Sequence, residues 1–289
     1  MLAIYKKELR TYFTSFSGYI FLAGFVFLMA LFFYMINIAG ANTSFAQTLS
    51  GPNTQISFLV LIPILTMQLF SEETKQRTDQ LLYTSPTGIP QIVIGKFLGA
   101  FSLFFTGVAI TLLFPLIIGF YAEVPLAETA GAYLGFVLMG LCFIAVGLFV
   151  SCLTNNTAVA AVGSFAALFL FYVMDAIAAF MPISRLSSAV FLIFLAIAVS
   201  FIIYDATKNI VSGIIFLVLA VITGIIIYIA NPIFYDAVIR RVLNWFSVLR
   251  RYGTFSRGIL ALADVVYYLA FSAAFIYLTI NTIEKRRWK

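Results

Sequence analysis

Long apolar runs separated by short polar breaks set the pattern of this chain. About 20 apolar residues cross a bilayer as a helix. On that length the runs predict spans over roughly 16–39, 55–70, 97–120, 131–153, 158–180, 187–204, 209–230 and 258–281. The runs are continuously apolar rather than alternating, which predicts helices and not a β-barrel. The run at 55–70 is short and holds Pro63, so it is expected to extend into its flanks or to thin the bilayer locally.

Two further segments show helical amphipathicity. Near the N-terminus, Leu2, Tyr5, Leu9 and Phe13 form one stripe and Lys6, Lys7 and Arg10 the opposite one. Within 231–257, Phe234, Val238, Val242, Trp245 and Leu249 recur at helical spacing against a mostly polar side of Arg241, Asn244, Val248 and Arg251. Pro232 suits the first turn of that helix and Gly253 its end. Such a helix prefers to lie in the membrane interface, as a resting connector or as a lid over an exit path.

Composition narrows the class. Charged residues are 10% of the 289 and hydrophobic ones 63%, against about a quarter charged in soluble domains. The chain therefore reads as all-α and polytopic, a single membrane domain over 1–289 with no polar stretch long enough for a separate soluble one. Met1 to Phe13 is basic and polar-studded, and the apolar run after it exceeds a signal-peptide core, so an uncleaved first span is expected. Cys142 and Cys152, ten residues apart on one helix, would lie about 15 Å apart, beyond disulfide reach. The chain has no histidine, which removes histidine metal sites and histidine acid–base chemistry.

Lysine and arginine in the short loops assign the sides. With both termini in the cytoplasm, Lys6, Lys7, Arg10, Lys75, Arg77, Lys96, Lys208, Lys285, Arg286, Arg287 and Lys289 fall inside. Arg185, Arg240, Arg241, Arg250, Arg251 and Arg257 fall outside, five of them in or beside the interfacial segment, where they reach headgroups. The loops at 40–54 and 121–130 hold no basic residue.

One inside loop is a compact charged island, SEETKQRTDQLLYTSPTGIPQIVIGKFLGAF, residues 71–101. Ser71 can cap a short helix there, Glu72 and Glu73 complement its positive end, and Glu73 and Arg77 are spaced to pair. Leu81, Leu82 and Tyr83 follow as an apolar knob before the break at Thr84–Gly88. The pattern suits either a docking surface for another protein or a solvated connector. The second inside loop, Ser151–Thr157, is polar enough to cap both neighbouring helices. Two acids fall within or near spans. Asp175 should face the protein interior or an aqueous cavity, and Asp264 near the outer end of the last span suits a polar contact between helices or a cap. No GxxxxGK[ST] loop, nucleophile–base constellation or dinucleotide motif occurs, so the chain does not bind ATP by a P-loop and no catalytic residue is expected.

Four stretches resemble a permease subunit of the type-2 ABC exporters, in the branch related to gliding-motility and multicopper-enzyme-maturation permeases. They are YKKELRTYFTSFSGYIF at 5–21, the SEET…GKFLGAF island, GLFVSCLTNNTAVAA at 147–161, and SRGILALADVVYYLAFSAAFIYLTINTIEKRRW at 256–288. The resemblance implies a six-helix permease core working as a dimer with a second copy or a paralogue. Each copy would dock on a separate ATPase subunit that binds the ATP and Mg; this chain would hold no cofactor and meet no nucleic acid. Residues 1–14, with Lys6, Lys7 and Arg10, correspond to the connecting helix and 71–96 to the coupling loop. By that match Glu72, Glu73, Arg77, Leu81, Leu82 and Tyr83, with Ser151, Thr154 and Asn155 at the second contact, are the coupling residues. Location in a bacterial inner membrane with both termini cytoplasmic is implied too. The apolar pair within 183–230 departs from the six-helix pattern, as two extra spans or an outside re-entrant hairpin. An ion-coupled carrier, or a non-transporting mechanotransmission or assembly subunit, are the alternative readings.

Overall fold

The computed structural model describes residues 2–78, 88–207, 209–230 and 235–287. Among them the regular structure is helical and no strand occurs. In chain order the helices are α1 (Leu2–Thr14), α2 (Phe16–Phe33, continued by a π turn at Tyr34–Ile38), α3 (Phe45–Ser50), α4 (Pro52–Thr66), α5 (Ser71–Lys75), α6 (Ile89–Thr111) and α7 (Leu113–Gly119). Then come α8 (Leu126–Leu153), α9 (Thr157–Phe180), α10 (Arg185–Thr207), α11 (Ile210–Ala230), α12 (Val238–Phe246), α13 (Val248–Phe255) and α14 (Leu262–Arg287). Six stretches among the described residues are long and apolar enough to cross a membrane: Phe16–Ile38, Pro52–Lys75, Ile89–Gly119, Leu126–Leu153, Thr157–Phe180 and Leu262–Arg286. Shorter apolar stretches lie in α10 and α11, at Arg185–Phe201 and Ile210–Gly224. The protein is a polytopic helical membrane protein.

The chain divides into two compact units, Met1–Phe171 with Val248–Lys289, and Tyr172–Ser247. In the first, α2, α4, α6 and α8 meet on an aromatic core of Phe25, Phe58, Phe104, Phe136 and Phe143, all fully buried. Phe58 and Phe136 have ring centroids 4.7 Å apart, while Phe25 meets Phe104 and Phe58 meets Phe143 edge to face, each at 5.9 Å. Lipid tails are as apolar as these rings, so close packing rather than water exclusion holds such helices together. α14 lies along α8, where Ser272 Oγ donates to Cys142 Sγ at 3.2 Å and Cys142 Sγ donates to the Tyr268 carbonyl at 3.1 Å. Both cysteines are free and buried. Phe16, Phe27 and Phe105 point outward, each more than half exposed, as a lipid-facing surface requires.

Two prolines act differently. Pro63 is buried within α4 without ending it; the helix begins at Pro52 and its apolar stretch runs on to Lys75, an extension into the flanks. Pro115, in α7, has no N–H to donate to the carbonyl of Thr111 four residues back. The chain breaks there between α6 and α7, and the hydroxyl of Tyr133 on α8 takes that carbonyl at 2.8 Å.

The segment read as one interfacial helix is two. Ser247 is extended (φ −71°, ψ 107°) and separates α12 from α13. In the first unit α13 turns Val248, Tyr252 and Phe255 inward at i, i+4 and i+7, all buried, so Val248 does not belong to a polar side. Tyr252 donates its hydroxyl to the Ala132 carbonyl at 3.2 Å, and Tyr268 donates to the Val248 carbonyl at 2.7 Å. Gly253 lies inside α13 rather than at its end, and the chain turns at Gly258 with φ +75°. Pro232 and Phe234 lie outside the described residues.

In the second unit α10 and α11 form a hairpin, tied where Ser200 Oγ donates to the Gly213 carbonyl at 2.7 Å. Arg185 holds Asp236 at 2.7 Å, and the guanidinium of Arg240 donates to the carbonyls of Ala178 and Ala179 at the end of α9. Asp175 is exposed on α9 rather than turned to an interior.

Candidate functional site

The buried face of α1 is Ile4, Glu8 and Tyr12, not the predicted Leu2–Tyr5–Leu9–Phe13 stripe. Leu2 is exposed and the other three are half-buried. That face lies on the start of α6 at backbone distance: a Cβ added at Gly99 would stand 2.8 Å from the Cβ of Glu8. Small residues are what allow helices to approach so closely. Tyr5 and Ser102 hydroxyls meet at 2.9 Å, and Tyr12 donates to the Leu65 carbonyl at 3.1 Å. Burial, and after it the Glu8 carboxylate, pushes the Tyr12 phenol well above its ordinary pKa.

This approach encloses an ammonium. Lys96, 1% exposed, places Nζ 3.0 Å from Glu8 Oε1 and 2.9 Å from Glu73 Oε2, with the Phe70 ring centroid 5.2 Å away. The other Glu73 oxygen receives Lys7 Nζ at 3.3 Å. Glu8, Lys96, Glu73 and Lys7 thus alternate in sign across α1, α6 and α5, and their formal charges cancel. Buried charges are tolerated when paired and hydrogen-bonded in this way.

A second fastening comes from the end of α8. Ser151 Oγ, fully buried, accepts the N–H groups of Phe70 and Ser71 at 3.1 and 3.3 Å and donates to the Met67 carbonyl at 3.1 Å. It serves the turn from α4 into α5, which has no side-chain cap of its own. Ser71 does not cap; its hydroxyl donates back to the Met67 carbonyl. A Cβ on Gly147 would fall 2.2 Å from Thr66 Oγ1, so only glycine lets α8 close on α4 here. The result is a knot of α1, α5, α6 and the ends of α4 and α8. Among the described residues no group of three or more acids and cysteines could hold a metal ion.

A protein-family model described as ABC-2 family transporter protein matches residues 2–191, more than half of the chain. The chain belongs to the ABC-2 transporter family. No curated protein and no solved structure matches it. It is a membrane permease component of an ABC transporter, and permeases of this family typically pair with an ABC ATPase subunit. The match covers Glu8, Glu73, Lys96 and Ser151 and ends inside α10, so α11 to α14 lie beyond it.

Of the remaining expected residues, some lie beside the knot and others do not. Glu72 is half-buried beside it, with Gln76 Nε2 donating to its Oε1 at 3.4 Å. Arg77 is exposed with a left-handed backbone (φ 56°) beyond the end of α5, so the anticipated pair with Glu73 does not form; Glu73 is engaged by the lysines instead. Leu81, Leu82 and Tyr83 lie outside the described residues. Thr154 Oγ1 accepts the Asn156 N–H, Asn156 Oδ1 accepts the Ala158 N–H at the start of α9, and Asn155 is exposed. Lys6 and Arg10 are exposed on α1. At the far end of α14, Asp264 is not an isolated acid. It receives Arg251 Nη1 at 2.9 Å and Thr254 Oγ1 at 2.7 Å, while Arg251 stacks 3.9 Å over Tyr267.

Sequence reasoning missed Glu8 and Lys96 as partners. Glu8 is the acid of an otherwise basic α1 and stands four residues from both Ile4 and Tyr12; Lys96 is a cation inside an apolar run. A charge placed on an apolar stripe is the signal that two such helices share a partner.

Proposed function

We propose that this ABC-2 permease is the membrane half of an ATP-driven exporter, and that α1, α5 and the start of α6 receive the motion of a separate ATPase subunit. The observation that supports this reading is the Glu8–Lys96–Glu73–Lys7 cluster, which joins α1 and the short helix α5 to the root of an apolar span. A load on the exposed side of α5 passes through Glu73 to Lys96 and α6, through Ser151 to α8, and through Glu8 and Lys7 to α1. Separating buried opposite charges costs several kcal/mol, so these elements move together. Rigid-body tilting of spans about an interface with a second permease, identical or paralogous, is the corresponding transport step. ATP and Mg belong to the ATPase subunit.

The lysine and arginine distribution supports a cytoplasmic side for both termini, 71–88 and 154–156, and the family resemblance supports a bacterial inner membrane. The four stretches named above favour the gliding-motility and multicopper-enzyme-maturation branch of the family.

The test is purification from native membranes in mild detergent, with the eluate assayed for a co-purifying ATPase and for its stimulation by the permease. Wild type should bring down a stoichiometric ATPase. Glu72→Lys with Arg77→Glu should lose stimulation at unchanged thermal stability. Unchanged stimulation in that variant would remove α5 from the docking surface. A preparation free of ATPase even after crosslinking in the membrane would defeat the exporter reading.

A further inference from the structure

The second unit holds a cleft lined by none of the residues of the knot. α10 and α11 are drawn together where Ser200 bonds Gly213, and elsewhere along the hairpin a cavity of about 600 Å³ lies between them. That size is within the range of about 300–1,000 Å³ for small-molecule sites. Its walls are almost wholly apolar. Ala189 and Ala196 of α10 and Ala220 and Gly224 of α11 supply little side-chain volume, which leaves the space open. Tyr235 closes one wall, donating its hydroxyl to the Gly224 carbonyl at 2.7 Å and meeting Tyr228 edge to face at 5.2 Å. Leu186 and Ile193, both lining residues, are 73% and 48% exposed, so the cleft opens sideways along its length.

The mouth is charged. Arg185 precedes Leu186 and holds Asp236, which follows Tyr235. The Arg185 hydrogen bond holds the Asp236 carboxyl below its ordinary pKa, and Arg241 contributes in the same direction. Arg241 is itself exposed. Arg185 alone contacts the carboxylate, and Arg241, five residues after Asp236 and at the start of α12, adds its charge to the same end of the apolar slot, where two guanidiniums stand against one carboxylate.

We infer that the cleft holds one acyl chain of an anionic membrane phospholipid, with its phosphate at Arg185 and Arg241. The apolar walls and sideways opening match a tail entering from the bilayer. The exposed guanidinium of Arg241 matches a phosphate, which it can take with two parallel hydrogen bonds, while Arg185, its Nε and Nη2 held by Asp236, adds its charge beside it. The surplus charge disfavours the ammonium of a zwitterionic headgroup. The site is independent of ATP coupling and of the direction of transport.

The experiment uses the full chain in phosphatidylcholine vesicles doped with a phosphatidylglycerol that bears a diazirine on one acyl chain. After illumination, adducts are mapped by mass spectrometry. Adducts should concentrate on Arg185–Val199 and Phe216–Tyr228. They should fall about tenfold in Arg241→Gln, the loss expected for one charge-assisted hydrogen bond, and in Ala220→Trp, which fills the cleft. Because Ala220→Trp could disturb the hairpin, the wild-type chain is also competed with unlabelled lipid. Phosphatidylglycerol should suppress the adducts and added phosphatidylcholine should not. Equal labelling by a diazirine phosphatidylcholine, or adducts spread evenly over outward-facing α2 and α6, would overturn the proposal. So would a cysteine at Ala220 that crosslinks to a second copy, since a protein helix would then occupy the cleft.

Discussion

Glu8 on α1 and Lys96 on α6 stand 88 residues apart in sequence and 3.0 Å apart in space, both buried. The pair docks the N-terminal helix on a span through a charge contact rather than through apolar matching alone. Removing one member leaves the other uncompensated. Lys96→Met should therefore destabilise the permease by about 3–5 kcal/mol, seen as a lowered midpoint of thermal unfolding in detergent. Adding Glu8→Leu to it should cost less than the two single changes combined, because the stranded carboxylate is gone. An unchanged midpoint in Lys96→Met would show that the ammonium is not held as the geometry indicates.

Glu72 and Glu73 are neighbours with different duties. Glu73 bridges two lysines, whereas the side chain of Glu72 has, among the described residues, a long contact from Gln76. Glu73→Lys sets a third cation against Lys96 and Lys7 and should lower stability clearly. Glu72→Lys should stay within about 0.5 kcal/mol of wild type, as surface changes do. Unfolding midpoints of the two reversals decide the point, and equal midpoints would contradict it.

Ser151 is one hydroxyl with three backbone partners. Ser151→Ala removes the acceptor for two buried N–H groups and should cost about 1–3 kcal/mol. The amides of Phe70 and Ser71 should exchange with deuterium faster in the variant. Protection equal to wild type would mean that α5 is held by other contacts.

How far the sequence could reach follows from what each feature depends on. The six long spans were legible because a run of apolar residues needs no knowledge of its neighbours. The knot was legible only in part: Glu73 and Ser151 stood out as polar groups in short loops, but their partners depend on which helices touch. The α1 stripe was displaced because aromatic and leucine positions were counted as buried, whereas Leu2 faces outward and Glu8 inward. In a membrane protein outward faces are apolar too, so hydrophobicity alone does not tell inside from outside. The break at Ser247 escaped notice because apolar residues recur at helical spacing across it, at Val242, Trp245 and Leu249, although the buried face of α13 is set by Val248.

Sidedness is testable at two residues of the first unit. Tyr121, 89% exposed, follows α7, and Asn155 is exposed between α8 and α9. In a variant lacking Cys142 and Cys152, Tyr121→Cys should react with a membrane-impermeant thiol reagent on intact cells. Asn155→Cys should react only after lysis. The reverse pattern would invert the topology and place the ionic knot outside, away from any cytoplasmic ATPase.

The last prediction concerns pH. Tyr12 is buried against α4, its hydroxyl donates to the Leu65 carbonyl at 3.1 Å, and burial with the nearby Glu8 carboxylate raises its phenol well above the ordinary value of 10.0. A raised folded-state pKa means that the folded chain keeps a proton which the unfolded chain releases. The stabilisation is complete below the unfolded value and is lost as pH climbs from there toward the folded one. Wild type should therefore lose thermal stability steeply at alkaline pH. Tyr12→Phe should start lower at neutral pH, by about 0.5–1.5 kcal/mol for the missing hydrogen bond, and then fall less steeply. Tyr252, buried in α13 and also raised, keeps part of the alkaline slope in both proteins. Unfolding midpoints across the alkaline range separate the two contributions, and parallel curves would show that the Tyr12 phenol is not sealed between α1 and α4. If the curves converge as expected, the docking of α1 depends on a neutral phenol at one end of its buried stripe and on a paired carboxylate at its centre.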